Sequence, residues 1–337
     1  MMRLLLLGLG LVSCSSFDEI VHTNDLKEIQ PGDSEYERTV QVRYLGVSGL
    51  SIRIGKDHII TAPFYSCPGL GRVLQGSIEP RRELILKLAP PLDDVQAVLV
   101  GHSHYDHLMD VPVLAQERLP KGCVIYGSRT AAHILAAAEL EQRIEVVNDH
   151  AGDYDRPGTW RPIGARFRIM ALRSDHAPHF AGIRVYDGVY DEDLEELPTS
   201  AGGWRLGVTF AYLIDVLDAG SSRPVFRIYY QDAAADPPAG IPPPLHDGKP
   251  VDLAVLCTAA FHQVDRHPEA IIMATSPRFV LATHWEDFFR PQTEALAAVP
   301  GTDLEEFLRR LGRVMPRGGE HWMPAPGTLF RFPIRGR

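Results

Sequence analysis

The chain has 337 residues, 45% hydrophobic and 23% charged, which is enough for one large domain or two small ones. A formal charge of -9 and a pI near 5.9 argue against nonspecific nucleic-acid binding, which needs a basic surface, so no nucleic-acid partner is expected. With 29 glycines and 27 prolines, ample loops are expected rather than a helical bundle.

At the N-terminus, Met1-Met2-Arg3 precedes a short apolar run over 4–12. The run is too short to span a bilayer and reads as a secretory signal. Its ending, Leu11-Val12-Ser13-Cys14, resembles a bacterial lipobox. That resemblance implies a signal peptide over 1–13, a lipid on Cys14 and a polar tether over 14–38. It also implies a membrane partner and a place in the bacterial cell envelope, with Ser15 favouring the outer membrane. The competing reading is a cleavable signal with an incidental cysteine. Cys67, Cys123 and Cys257 then remain, without a C-x-x-C pair. An oxidising compartment would permit a Cys67–Cys123 disulfide, while Cys257 reads as a small core residue.

From Thr39 onward, two or three strands are expected over 41–62, broken at Gly46, Gly49 and Gly55. A strand over 94–100 has few polar residues and should be buried on both faces. A helix over 109–117 and a strand over 123–127 follow, and Ser128 should cap a helix over 129–140. Further strands are expected over 167–172, 207–215, 226–230, 252–257 and 279–283, with helices over 268–276 and 303–311. The segments 187–203 and 233–250 read as long loops, and the acidic run over 191–196 as a solvated face. Strands mixed with helices predict two packed sheets with helices outside, in one domain.

The chemistry concentrates in Val-Leu-Val-Gly-His-Ser-His-Tyr-Asp-His, where His102, His104, Asp106 and His107 follow the 94–100 strand within six residues. Side chains alternate with period two on an extended segment, so His102 and His104 point the same way. Asp106 and His107, in the turn that follows, can address a second point. This suits two metal ions about 3.5–4 Å apart. Four ligands cannot fill two sites, so more are expected at later strand ends. His176 or His179 follows the 167–172 strand, Asp232 ends an aromatic strand where a carboxylate can bridge, and His284 ends the 279–283 strand.

With these residues the sequence resembles the metallo-β-lactamase superfamily. The resemblance implies an α/β four-layer αβ/βα sandwich over 39–337, with two mixed sheets, helices outside and a dinuclear site along one edge. By position it implies His102, His104 and His176 on one metal, Asp106, His107 and His284 on the other, and Asp232 between them. Within the superfamily, P-P-L-D-D-V-Q-A-V-L-V-G-H-S-H-Y-D-H-L and H-P-E-A-I-I-M-A-T-S-P-R-F-V-L-A-T-H-W are similar to the branch holding N-acylphosphatidylethanolamine phospholipase D and L-ascorbate-6-phosphate lactonase. Two segments depart from that branch: T-A-P-F places Ala62 where it has a supporting aspartate, and Q-D-A-A replaces G-D-T-G around Asp232. A different carboxylate or a backbone carbonyl is expected to take over the support.

The expected cofactors are two divalent ions, zinc first, with iron or manganese as alternatives. A hydroxide held between them would be the nucleophile, because coordination lowers the pKa of water from about 16 to about 7. Asp106 and Asp232 are the expected catalytic carboxylates, Asp106 to orient the hydroxide or pass on its proton. A small-molecule or lipid substrate follows, with a phosphodiester or phospholipid-like ester at a membrane surface favoured. Lactone or amide (β-lactam-like) hydrolysis is one alternative, and a metal-binding lipoprotein without turnover is another. Cationic groups such as Arg173, Arg184 or Arg290 facing the metals would mark a phosphodiesterase. His179, His262 and His267 are candidates for substrate contact or ligand support. Trp285, Phe288, Phe289 and Trp322 are candidates for an apolar wall, with core packing the competing use.

Overall fold

The computed structural model describes residues 20–179 and 182–334. The expected signal peptide, Cys14 and the first part of the tether lie outside the described residues. In chain order the strands are β1 (Val21–His22), β2 (Thr39–Gly46), β3 (Gly49–Ile54), β4 (Asp57–Thr61), β5 (Ala97–Leu99), β6 (Val124–Gly127) and β7 (Ile144–Val146). They continue with β8 (Arg161–Ile163), β9 (Phe167–Arg173), β10 (Phe210–Leu217), β11 (Pro224–Gln231), β12 (Leu253–Cys257), β13 (Phe279–Thr283), β14 (Glu320–Pro324) and β15 (Leu329–Pro333). The α-helices are α1 (Leu70–Gln75), α2 (Arg82–Leu88), α3 (Tyr105–Leu108), α4 (Val111–Glu117), α5 (Arg129–Ala136), α6 (Glu269–Thr275) and α7 (Leu304–Val314).

Among the described residues, one sheet runs β15-β2-β3-β4-β5-β6-β7 and the other β1-β14-β13-β12-β11-β10-β9-β8. Alternation along the strands explains the layering. In β10, Phe210, Tyr212, Ile214 and Val216 face the core between the sheets, while Ala211 and Leu213 face the outer helical layer. β12 divides likewise, with Leu253 and Val255 inward and Ala254 and Leu256 outward. A strand apolar on both faces must be covered on both, and the result is the expected four-layer sandwich of helices, two mixed sheets and helices.

Strand direction places the site. β11, β12 and β13 are mutually parallel, and β9 shares their direction because β9–β10 and β10–β11 are both antiparallel. Their C-terminal ends therefore lie along one edge. The sheets are stitched there: Phe210 N–H donates to Gly101 O at 2.8 Å, Tyr212 Oη–H to Val100 O at 2.9 Å, and Tyr230 Oη–H to Ser48 O at 3.0 Å.

Several expectations need adjusting. Packed structure also precedes Thr39: β1 pairs with β14, and the buried Ile29 donates its amide to Gln41. The expected 109–117 helix begins at Val111 as α4, and a separate short helix, α3, precedes it, so Asp106 and His107 already sit on a helical turn. Ser128 caps α5 as expected, accepting from Ala131 N at 3.0 Å, but the helix closes at Ala136, shortly before Glu139 turns left-handed. β10 starts later than expected because Gly207 takes a φ of +69 with no room for a side chain. Cys67, Cys123 and Cys257 are free buried thiols, so Cys67 and Cys123 form no disulfide. Among the described residues no helix is long and apolar enough to cross a membrane.

One charged cluster is buried in the second sheet. Arg227 on β11 donates from Nε and Nη2 to both oxygens of Asp215 on β10, at 2.6 and 2.8 Å. Its remaining donors reach Asp247 at 2.8 and 3.1 Å and Lys249 O at 2.7 Å. Arg168 adds a bond to Asp215 at 2.9 Å and lies over the Trp160 ring.

Candidate metal centre

From the first sheet, β5 leads through Val100 and Gly101 to His102. His104 is extended and precedes α3, whose first turn carries Asp106 and His107. The His102 ring lies 4.8 Å from His104 and 4.1 Å from His107, centre to centre. Gly101 is required by close approach: a Cβ there would collide with both carboxylate oxygens of Asp232.

From the second sheet, β9 ends just before His176, β11 just before Asp232 and β13 just before His284. The His176 ring is 4.8 Å from His102 and 4.9 Å from His104. Its Nδ1 lies 2.6 Å from Ala177 O, which can only accept, so Nδ1 carries the proton and Nε2 keeps a free lone pair. A backbone carbonyl thus fixes this ring. His284 has a φ of +55, an unfavourable conformation for a side chain of this kind. Its amide donates to Tyr44 Oη at 3.1 Å, and the same hydroxyl lies 2.6 Å from Glu286 Oε2 and 2.7 Å from Val47 O. Glu286 also accepts the Val47 amide. Tyr44 and Glu286 are supports that sequence reading missed. No local sequence pattern marks a glutamate for burial.

Three overlapping groups offer ligand atoms within 4.8 Å of one another: His102, His104 and His176; His102, His107 and Asp232; Asp106, His107 and His284. Asp232 stands between the first and third, with Oδ1 3.3 Å from His102 Nδ1 and Oδ2 3.5 Å from His107 Nδ1. Asp106 Oδ2 lies 3.5 Å from His107 Nε2 and 3.3 Å from His284 Nε2. All seven expected ligands therefore converge.

The donors fit divalent metal. Among the described residues, both ring nitrogens of His102, Nε2 of His104, Nδ1 of His107 and of His284, and Oδ1 of Asp232 are buried without a hydrogen-bond partner. Such groups are costly in a dry interior unless something cationic answers them. Burial holds His102 and His107 down to about 3 and pushes His104 and His176 well below the usual histidine range. Metal ligation requires these unprotonated forms. Burial lifts Asp232 to about 6 despite His107 and His284. Burial also opposes ionisation of Asp106, but His107 and His284 overcome it and hold this carboxyl well below its usual range.

The centre opens into a cleft of about 790 Å³, its mouth included. Small residues such as Ala177 and Ala234 surround the metal groups, and Phe288, Phe289 and Val299 form an apolar wall. Trp285 instead is buried in the outer core with Nε1–H donating to Pro324 O, and Trp322 packs against Phe279. His179 and His262 line the cleft, but His267 does not: it is buried with Nε2 bonded to Cys257 O at 2.8 Å, anchoring the end of β12. None of the three arginines considered for a phosphate faces this space. Arg173 donates to Asn148 O, Arg184 pairs with Asp175, and Arg290 pairs with Glu294. Among the described residues no Lys or Arg lines the cleft.

Comparison with known proteins agrees with this architecture. Residues 68–218 match the β-lactamase superfamily domain, a span that includes His102, His104, Asp106, His107 and His176. No curated protein is detectably similar in sequence. Among solved structures, Igni18, a novel metallo hydrolase from the archaeon Ignicoccus hospitalis, is 15% identical with a TM-score of 0.50, covering 88% of this chain and 100% of that one. CmlA, a diiron β-hydroxylase from Streptomyces venezuelae, is 13% identical with a TM-score of 0.50, covering 91% of this chain and 55% of its own. This chain thus spans about half of CmlA. At these identities the likeness is one of fold, and the fold is that of the metallo-β-lactamases.

Proposed function

We propose that this chain is a dinuclear metal-dependent hydrolase of neutral carbonyl substrates, an ester or lactone with an apolar portion. The observation that carries the reading is the convergence of seven His and Asp side chains with unanswered buried ligand atoms. His102, His104 and His176 would hold one ion and Asp106, His107 and His284 the other, with Asp232 available to both. Nitrogen and oxygen donors without thiolate suit zinc, and iron or manganese would also fit them. Bound there, two divalent ions would supply a water acidic enough to attack near neutral pH and a Lewis acid for the substrate oxygen. Asp106, held ionised between His107 and His284, would help hold the second ion, and its carboxylate would help orient a water there. Phe288, Phe289 and Val299 would take the apolar part of the substrate and exclude water.

The phosphodiester expectation loses its distinguishing mark, because the arginines that would support it are engaged elsewhere. Elemental analysis of a soluble chain beginning after Cys14 should find close to two metals, and Asp232→Ala should lose metal and activity together. The loaded enzyme should hydrolyse aryl esters or lactones faster than a bis-aryl phosphodiester. The reverse order would restore the phosphodiesterase reading, and absence of metal after reconstitution would end the hydrolase reading. We also propose that a lipid on Cys14 places the enzyme in the bacterial cell envelope. Fatty-acid labelling that persists in Cys14→Ser would overturn that.

A further inference from the structure

His179 belongs to none of the metal groups, yet it lies at the centre's edge. Its ring stacks on His176 at 4.5 Å and 19° and lies 5.2 Å from His104. Its backbone N–H donates to Ile183 O at 2.9 Å. The decisive contact is at Nδ1, which accepts the Val185 amide at 3.3 Å. An amide N–H can only donate, so Nδ1 holds a lone pair and Nε2 must carry the ring's single proton. This is the opposite tautomer from His176, whose Nδ1–H is spent on Ala177 O. Two stacked imidazoles on one short segment are therefore set for different tasks, one offering a lone pair and the other a proton. Nε2 of His179 has no partner among the described residues, and the side chain lines the cleft.

We infer that His179 is a substrate-contacting residue that presents Nε2–H as a neutral hydrogen-bond donor to the substrate's oxygen. The inference rests on the hydrolase reading. A donor preset by the backbone needs no reorganisation when charge develops on that oxygen, and this is where such a bond assists most. No proton is transferred: the N–H bond persists, and the nitrogen only shares its hydrogen with the oxygen.

Four readouts test this on the metal-loaded protein. Nitrogen-15 NMR of histidine-labelled protein should show one ring with bare Nδ1 and protonated Nε2 whose signals vanish in His179→Phe. His179→Phe keeps an aromatic ring on His176 but removes the donor, whereas His179→Gln keeps an amide donor. Both variants should retain the full metal content. His179→Phe should lower kcat/KM for an aryl ester by on the order of tenfold to a hundredfold, with part of the loss recovered in His179→Gln. An alkylphosphonate mimic of the tetrahedral state should bind His179→Phe at least about tenfold more weakly by calorimetry. Loss of a metal in His179→Phe, a bare Nε2, or unchanged kcat/KM and phosphonate affinity would each overturn the inference. If wild type turns over nothing while phosphonate binding still weakens in His179→Phe, the hydrolase reading fails and the donor stands.

Discussion

Two buried charged clusters invite comparison, the metal centre and the Arg227–Asp215–Asp247 group in the second sheet. In the second, every guanidinium donor has an acceptor within hydrogen-bond distance, and both Asp215 oxygens are used. In the first, six buried polar atoms have no hydrogen-bond partner. Both clusters carry residues rarely found inside proteins, so burial alone does not separate them. Satisfaction does. A group complete within the chain is structural, whereas one incomplete by several bonds is built to receive something.

The largest test of this distinction is a pair of substitutions in metal-free protein. Asp215→Ala leaves Arg227 buried without its bidentate partner and should cost about 3–5 kcal/mol in urea unfolding, with metal uptake unaffected once the chain is folded. Asp232→Asn should leave metal-free stability unchanged or raised, because it removes a buried carboxyl that is harder to ionise, while abolishing metal uptake. Equal destabilisation by both would erase the contrast.

Acid provides a second test. Folded His102 and His107 protonate only near 3, against about 6.5 in the unfolded chain. Between these values the unfolded state binds more protons, so metal-free stability should fall as the pH drops from about 6.5 towards 3. Each imidazole contributes up to about 1.4 kcal/mol per pH unit. Asp232 and Asp110, both raised to about 6 by burial, act oppositely: their contribution is full below about 4 and is lost as pH rises through 6. His104 and His176 are lowered too, so imidazoles outnumber the two carboxyls and the net slope should be positive. A flat or inverted slope in urea titrations between pH 4 and 7 would show that the imidazoles are less secluded than their burial indicates.

The smallest effect sharpens the contrast from outside the ligand set. Tyr44→Phe removes the hydroxyl that accepts the His284 amide and should weaken metal binding by about tenfold in a competitive chelator titration. Unchanged affinity would mean that packing alone holds His284 in its left-handed conformation.

The parts of this molecule legible in sequence share a property: their signal is local. Strands buried on both faces announce themselves as apolar runs, and each ligand follows such a run directly. His102 with His104, Asp232 and His284 could be found for that reason. β7 and β8 escaped because they are short, and β14 and β15 because polar residues or a Pro interrupt their apolar runs. Glu286 and Tyr44 escaped for another reason, since they meet across 242 positions of chain. The choice between His176 and His179 turned on which backbone group each Nδ1 faces, and spacing does not encode that. The cleft's lack of basic residues was hidden similarly, because Arg173, Arg184 and Arg290 lie near the ligands in sequence but turn to other partners.

Gly101 has a consequence of another kind. It precedes the first ligand and touches no metal, and its work is to leave a vacancy that Asp232 fills from the opposite sheet. The distance between the two halves of the centre is therefore set by the absence of one carbon atom. A tally of mutational tolerance along this chain would place Gly101 beside the histidines, although it offers no atom to coordinate. An inheritance of the fold without that glycine would keep every ligand and still lose their meeting point.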